Sequence, residues 1–365
     1  MRKNLLRTAV LLACAAAVTT AFAEDKPVET TTVGGRLFID FSTIDFKNDG
    51  VKQPASGTGL DVKRAYIIIG HTFDEIWSAN ITTDFNYSSS TGETQLFIKK
   101  AYVQAKLSDA FFARAGSAET PWAPYIEDLY GYRYVEKVLV DRTGYGTTAD
   151  WGLHAGGKVA DGFFNYAVSA VNGNGYKNPT RSKSVDFEGR AALIPIPGLT
   201  LAVGFYSGDL GLNVEGLPQP NQPRGADRFD AFAGYVTDQF RVGAEYFQAK
   251  DWKVLNGQPS DKADGFSGWG SFNFTPMWAA FARYDQVKPN KDTAPNKKDT
   301  YYNAGVAVKP RKNLEFAFVY KHEEVENGAF KTADVTLGTQ PPPATVALSK
   351  LSKYDEIGVW ALVNF

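Results

Sequence analysis

From Trp77 to Tyr87 the chain alternates without a fault, with Trp, Ala, Ile, Thr, Phe and Tyr at odd positions and Ser, Asn, Thr, Asp and Asn between them. A period of two places these sets on opposite faces of a strand, one apolar and one polar. The pattern recurs. Leu37, Ile39 and Phe41 alternate with Arg36, Phe38 and Asp40; Ala101, Val103, Ala105 and Leu107 alternate with Lys100, Tyr102, Gln104 and Lys106. Leu314, Phe316, Phe318 and Tyr320 alternate with Glu315, Ala317, Val319 and Lys321, and the chain ends on Ile357, Val359, Ala361, Val363 and Phe365 in the same rhythm. Sixteen such strands are predicted, centred near residues 39, 67, 82, 101, 113, 154, 167, 189, 203, 232, 244, 270, 281, 305, 318 and 360. Several exceed the five or six residues common in soluble sheets.

The connections alternate as well. Tight turns fall at 74–76, 108–110, 160–162, 195–198, 237–239, 275–276 and 310–313. Longer polar loops rich in Gly, Pro and Lys lie between them, at 45–60, 88–93, 117–149, 173–183, 207–227, 251–263, 286–299 and 323–353. Strict short–long alternation with both termini on the short side is the layout of a transmembrane antiparallel β-barrel with periplasmic turns and external loops. In hydrocarbon every backbone amide must be paired within the protein, and a sheet achieves that only by closing on itself. Phe73, Trp77, Phe111, Phe163, Phe240 and Trp278 flank the short turns, where an aromatic girdle belongs. No stretch after residue 23 approaches the roughly 18 apolar residues of a membrane-spanning helix.

The N-terminus adds export. Arg2, Lys3 and Arg7 precede an apolar, Ala-rich stretch from Thr8 to Thr20, and Ala21-Phe22-Ala23 is a small-x-small cleavage site. Residues 1–23 are therefore expected to be a signal peptide, 24–32 a short periplasmic segment and 33–365 the barrel. Leu11-Leu12-Ala13-Cys14 offers a lipobox alternative, but with only six residues between Arg7 and Cys14. Cys14 is the single cysteine, so cleavage at 23 leaves no disulfide, thiol nucleophile or cysteine metal site. With 39 Lys+Arg against 40 Asp+Glu there is no charge excess to attract nucleic acid.

The ordered series Gly35-Arg36-Leu37-Phe38-Ile39-Asp40, Lys63-Arg64-Ala65-Tyr66, Lys100-Ala101-Tyr102-Val103, Phe112-Ala113-Arg114-Ala115-Gly116 and Val171-Asn172-Gly173-Asn174-Gly175 resembles the phosphate-selective porins O and P of the Gram-negative outer membrane. The resemblance is clearest over residues 34–175. It implies a homotrimer of sixteen-stranded pores embedded in outer-membrane lipid, with the third loop, 117–149, folded inward as the constriction. Pro121 to Tyr130 would begin a short helix there. Terminal Phe365 resembles the signal read by the barrel-assembly machinery.

The lumen-facing charges are the candidate chemistry. Arg36, Arg64, Lys100 and Arg114 on the wall, with Arg133 and Arg142 in the long loop, are expected to line the pore together with Glu119, Glu127, Asp128, Glu136 and Asp141. A field across a narrow waist would sort ions and orient dipolar solutes; alternatively these charges only pair with one another along a solvated wall. Because both signs are interspersed, passive diffusion of small hydrophilic solutes and ions fits better than a dedicated phosphate channel, although an anion preference stays open. Trp122, Tyr125, Tyr130, Tyr132, Tyr134 and Tyr145 either stack with solutes or pin the loop. His71, His154 and His322 are far apart and outside any metal-ligand spacing, so no enzyme, cofactor or metal is expected. A non-conducting barrel serving as an adhesin or scaffold is the alternative from another class.

Overall fold

A computed structural model describes residues 29–88, 93–328 and 349–365. The leader with Cys14 and parts of the second and eighth loops lie outside the described residues. Each expected strand forms: β1 (Thr30–Asn48), β3 (Gly57–Thr72), β4 (Trp77–Ser88), β5 (Glu93–Ser108), β6 (Phe111–Glu119), β7 (Ala149–Val159), β8 (Phe164–Val171), β9 (Asp186–Leu193) and β10 (Leu199–Gly208), followed by β11 (Ala226–Val236), β12 (Phe240–Lys250), β13 (Lys262–Asn273), β14 (Trp278–Lys288), β15 (Lys298–Arg311), β16 (Leu314–Glu326) and β17 (Leu351–Asn364). The remaining piece, β2 (Val51–Lys52), is a two-residue ribbon in the first loop. β1 begins at Thr30, inside the 24–32 segment expected to precede the barrel.

Every neighbour pairs antiparallel, and β17 returns to β1 from Arg36↔Asn364 to Asn48↔Ser352, so the sheet closes. The terminal residue finishes the seam. The Gly35 and Phe365 main chains exchange hydrogen bonds of 2.8 and 3.0 Å, and a Cβ on Gly35 would sit 2.2 Å from the Phe365 ring. Glycine at 35 is what lets that ring lie across the first strand.

Closure leaves one apolar and one polar surface. Phe41, Ile67, Ile81, Val103, Val203, Phe229, Val242, Phe318 and Val359 point outward and are exposed, as are the girdle residues Phe73, Phe163, Phe240 and Trp278. Asp40, Asp84, Asp186, Asp230, Arg283 and Lys321 point inward and are buried.

Four register shifts interrupt the ladders, two beside short turns at Lys106/Ser108 and Val308/Arg311 and two β-bulges within the wall. Phe38 faces Arg64 while Ile39 faces Val62, leaving Lys63 as the extra residue; Thr82 faces Lys100 while Thr83 faces Ile98, leaving Lys99 extra. A bulge re-aims the inserted side chain. Lys63 and Lys99, which alternation would send outward, turn into the barrel beside Arg64 and Lys100.

Candidate functional site

The third loop, 120–148, enters the barrel as the resemblance implied. Its first helix, α1 (Ala123–Tyr130), has Pro124 where the missing amide costs nothing, and ends on Gly131 at φ 82°. A second, four-residue turn, α2 (Leu139–Arg142), follows. Trp122, Ile126, Val138 and Leu139 are fully buried between the loop and the wall of β9–β16. Trp122 lies over Gly204 of β10, where an added Cβ would come within 2.5 Å of the indole.

The loop aromatics pin the segment. Tyr132 stacks on Phe281 at 4.1 Å, Tyr145 meets Phe247 at 4.7 Å and Tyr130 meets Trp269 at 5.5 Å. Each such pair adds about 0.5–1.5 kcal/mol beyond burial. With Trp122, Tyr130, Tyr132, Tyr134 and Tyr145 all buried, the packing reading of these rings holds and the solute-stacking one falls away.

A peptide laid along the inside of a barrel must have its amides and carbonyls answered, and wall side chains do this. Glu188 accepts from the Trp122 amide at 3.3 Å, and Glu245 from that of Leu139 at 3.1 Å. Arg190 donates to the Pro121 carbonyl at 2.8 Å, and Arg241 to the carbonyls of Asp128 and Leu129 at 3.0 Å. Arg228 donates to the Tyr145 carbonyl, Arg283 to that of Lys137, and the Tyr134 hydroxyl to Glu315 at 2.9 Å. Many of the inward charges therefore hold the loop instead of lining an open lumen. Arg142 is one of them. Its Nε sits 2.9 Å from Asp285 and its Nη1 2.6 Å from Glu323, with almost no exposure. It belongs to the seam between loop and wall, because a cation flanked by three wall carboxylates is drawn to them.

The face left to the lumen is the wall of β1 and β3–β6. Arg64 pairs with Asp84 at 3.0 Å, Lys63 with Asp61 at 3.1 Å and Asp40 at 3.5 Å, and Glu119 receives both Lys100 at 2.6 Å and Arg114 at 2.7 Å. Lys99 donates to the Tyr66 hydroxyl at 3.1 Å. Arg36, near the short-turn end, is exposed and donates to Asn364 at 2.8 Å. From the loop, Arg133 pairs with Glu127 and lies 3.7 Å from Asp141, while Glu136 reaches Lys321 at 3.6 Å. Burial pushes the Asp128 carboxyl above the usual range, against the pull of Arg36, Lys100 and Arg241. So the eleven expected residues do not form opposed walls of one sign; most pair with a near neighbour. Above this waist, toward the long loops, a cavity of about 450 Å³ is lined by Arg64, Arg133, Asp141, Tyr176, Arg228 and Lys253.

Lys63 and Lys99 escaped the sequence reading. Two adjacent cations in an alternating strand, Lys63-Arg64 and Lys99-Lys100, were the available signal: one of each pair would otherwise face hydrocarbon.

No family model and no curated protein sequence matches the chain. Solved structures do. An anion-selective porin from Comamonas acidovorans superposes with a TM-score of 0.67 at 12% identity, covering 92% of this chain and 100% of that one. The outer membrane channel DcaP of Acinetobacter baumannii gives 0.64 at 12% identity over 95% and 100%, and Salmonella typhi OmpF in complex with daunomycin gives 0.60 at 10% over 95% and 100%. At these identities the likeness is one of fold: the chain has the closed antiparallel barrel of these porins.

Proposed function

We propose that this protein is an outer-membrane porin, a passive water-filled channel for small hydrophilic solutes and ions. The observation that carries the reading is a loop folded into a charge-lined interior of a closed barrel whose outer face is apolar. Water would not tolerate that outer belt, and a barrel closed merely for stability has no use for a charged interior path. Solutes would enter through the vestibule at Arg64 and Arg228, pass between the loop and the β1–β6 wall, and leave near Arg36. Export by residues 1–23, insertion through recognition of Phe365 and assembly as a homotrimer complete the proposal; Phe365 is 71% exposed at the barrel seam, open to such recognition.

Each wall cation discussed above has a carboxylate or polar neighbour, which supports general diffusion over the phosphate selectivity of porins O and P. The inward turn of Lys63 and Lys99 favours a mild anion preference. Planar-bilayer recording of refolded protein under a salt gradient, with and without phosphate, tests this. Current steps with slight anion preference and no saturation by phosphate are expected. Saturation at millimolar phosphate would make it a dedicated anion channel, and a folded barrel without current would leave a scaffold or adhesin.

A further inference from the structure

At the short-turn end of the barrel, a cavity of about 200 Å³ lies between the loop at Gly131 and Tyr132 and the inner wall of β12–β16. Three charged side chains line it, Arg241, Lys309 and Glu315. The Arg241 guanidinium packs against Gly131, where an added Cβ would come within 3.0 Å of Nη1. That nitrogen is committed to the Asp128 and Leu129 carbonyls. Nε and Nη2 make no hydrogen bond among the described residues, and the side chain is only half-buried. Glu315 accepts the Tyr134 hydroxyl through Oε1 at 2.9 Å, which leaves Oε2 unengaged. Lys309 is exposed and forms no ion pair among the described residues.

Elsewhere on the inner wall unlike charges close on each other: Arg64 on Asp84, Lys100 and Arg114 on Glu119, Arg283 on Asp285. Here they do not. Continued pairing of β15 with β16 would set Lys309 opposite Glu315, but the ladder stops at Val308↔Phe316 and resumes only at Arg311↔Leu314, beside the turn. Arg241 is drawn back instead to the last carbonyls of α1, the negative end of that helix. Two cations and one carboxylate are thus held around a small space without meeting. A ligand with a single charge answers only part of this set: an anion leaves Glu315 facing it, and a cation meets Arg241 and Lys309. A ligand that carries both charges one carbon apart answers all of it. The volume, equal to about seven waters, suits a body of about six non-hydrogen atoms.

We infer that this cavity binds a small zwitterion, a free α-amino acid, whose carboxylate takes Arg241 Nε and Nη2 under the pull of Lys309 and whose ammonium donates to Glu315 Oε2. Its place as an exit site on the solute path rests on the channel reading, whereas binding itself needs no conduction.

The test is calorimetric titration of the refolded, detergent-solubilised barrel with L-alanine, against propionate, which lacks the ammonium, and ethylamine, which lacks the carboxylate. Saturable binding of L-alanine, at least about tenfold tighter than either, is expected from one further charge-assisted hydrogen bond. Glu315→Gln keeps an acceptor for Tyr134 and should bring L-alanine down to the affinity of propionate. Lys309→Gln changes a side chain that holds no other group and should weaken L-alanine and propionate together. Arg241 is left in place because it also holds α1; both variants should keep the heat-modifiable migration of a folded barrel. No L-alanine binding by the folded wild type, equal affinity for L-alanine and either one-charge analogue, or undiminished L-alanine binding in folded Glu315→Gln would each overturn the inference. Bilayer current without L-alanine binding would refute this site and spare the channel, and L-alanine binding without current would refute only the channel.

Discussion

Replacing Arg142 by methionine keeps an unbranched apolar stem and removes the guanidinium with its charge. In the folded protein the guanidinium lies 2.9 Å from Asp285, 2.6 Å from Glu323 and 3.5 Å from Asp299, 4.6 Å above the Tyr301 ring. Asp285 keeps a cation, since Arg283 holds it at 2.7 Å. Asp299 and Glu323 are left facing each other with that cation gone. Breaking a buried pair from one side costs about 3–5 kcal/mol. The barrel ladder is untouched, so the cost falls on the attachment of α2 to β14–β16. At about 1.4 kcal/mol per factor of ten, the population with this half of the loop detached rises by two to three and a half orders of magnitude. Trypsin should then cut at Arg133 or Lys137 in a barrel whose heat-modifiable migration is unchanged, and single-channel conductance should become larger and noisier. Adding Asp299→Asn and Glu323→Gln neutralises the stranded carboxylates and should restore much of the protection. A folded Arg142→Met barrel as resistant to trypsin as wild type, with unchanged conductance, would refute the latch, as would a triple variant no tighter than the single one.

Trp122→Ala empties a fully buried site over Gly204 and should cost about 3–5 kcal/mol of loop attachment, read as loss of trypsin protection near α1 with the barrel intact. Lys99→Met removes an inward cation; for an ion passing at about 6 Å in a water-like medium the lost interaction is about 0.7 kcal/mol, so the anion-to-cation permeability ratio should fall by up to about tenfold at low salt, measured as reversal potential. Arg114→Glu places a second carboxyl group beside Glu119 and should move the reversal potential toward cations while the fold persists; an unchanged potential would mean Arg114 acts only in the wall. Burial raises the Asp128 carboxyl above its ordinary value, so its negative charge is lost as pH falls through that raised value, before an ordinary carboxylate would respond. Anion preference should therefore grow as the pH is lowered from neutrality toward 4, and Asp128→Asn should flatten the onset of that curve. By the same sign, the ionised form costs folding stability at neutral pH, and the cost disappears on acidification.

The barrel was legible because a membrane wall repeats one physical demand. Each strand must be apolar on one side and polar on the other, so the strands centred near 82 and 318 announce themselves, and turn chemistry such as Ala160-Asp161-Gly162, with positive φ at all three residues, separates them. The inward charges were also readable as a set from their parity. Their partners were not, because pairing depends on neighbours brought together by register. Alternation put Lys63 and Lys99 outside; a bulge, which is a property of two strands at once, brought them in. Arg142 read as a pore residue because a charged residue in a loop has no face until the loop is packed. Glu188, Glu245 and Arg241 turn inward on their strands, yet they answer backbone groups of a segment far away in sequence. Apart from the two bulged lysines, the chain alone thus settled which residues avoid hydrocarbon, since that depends on local periodicity. Which of those residues meet solute and which hold the loop depend on contacts between distant segments, and only closure of the barrel around its third loop creates them.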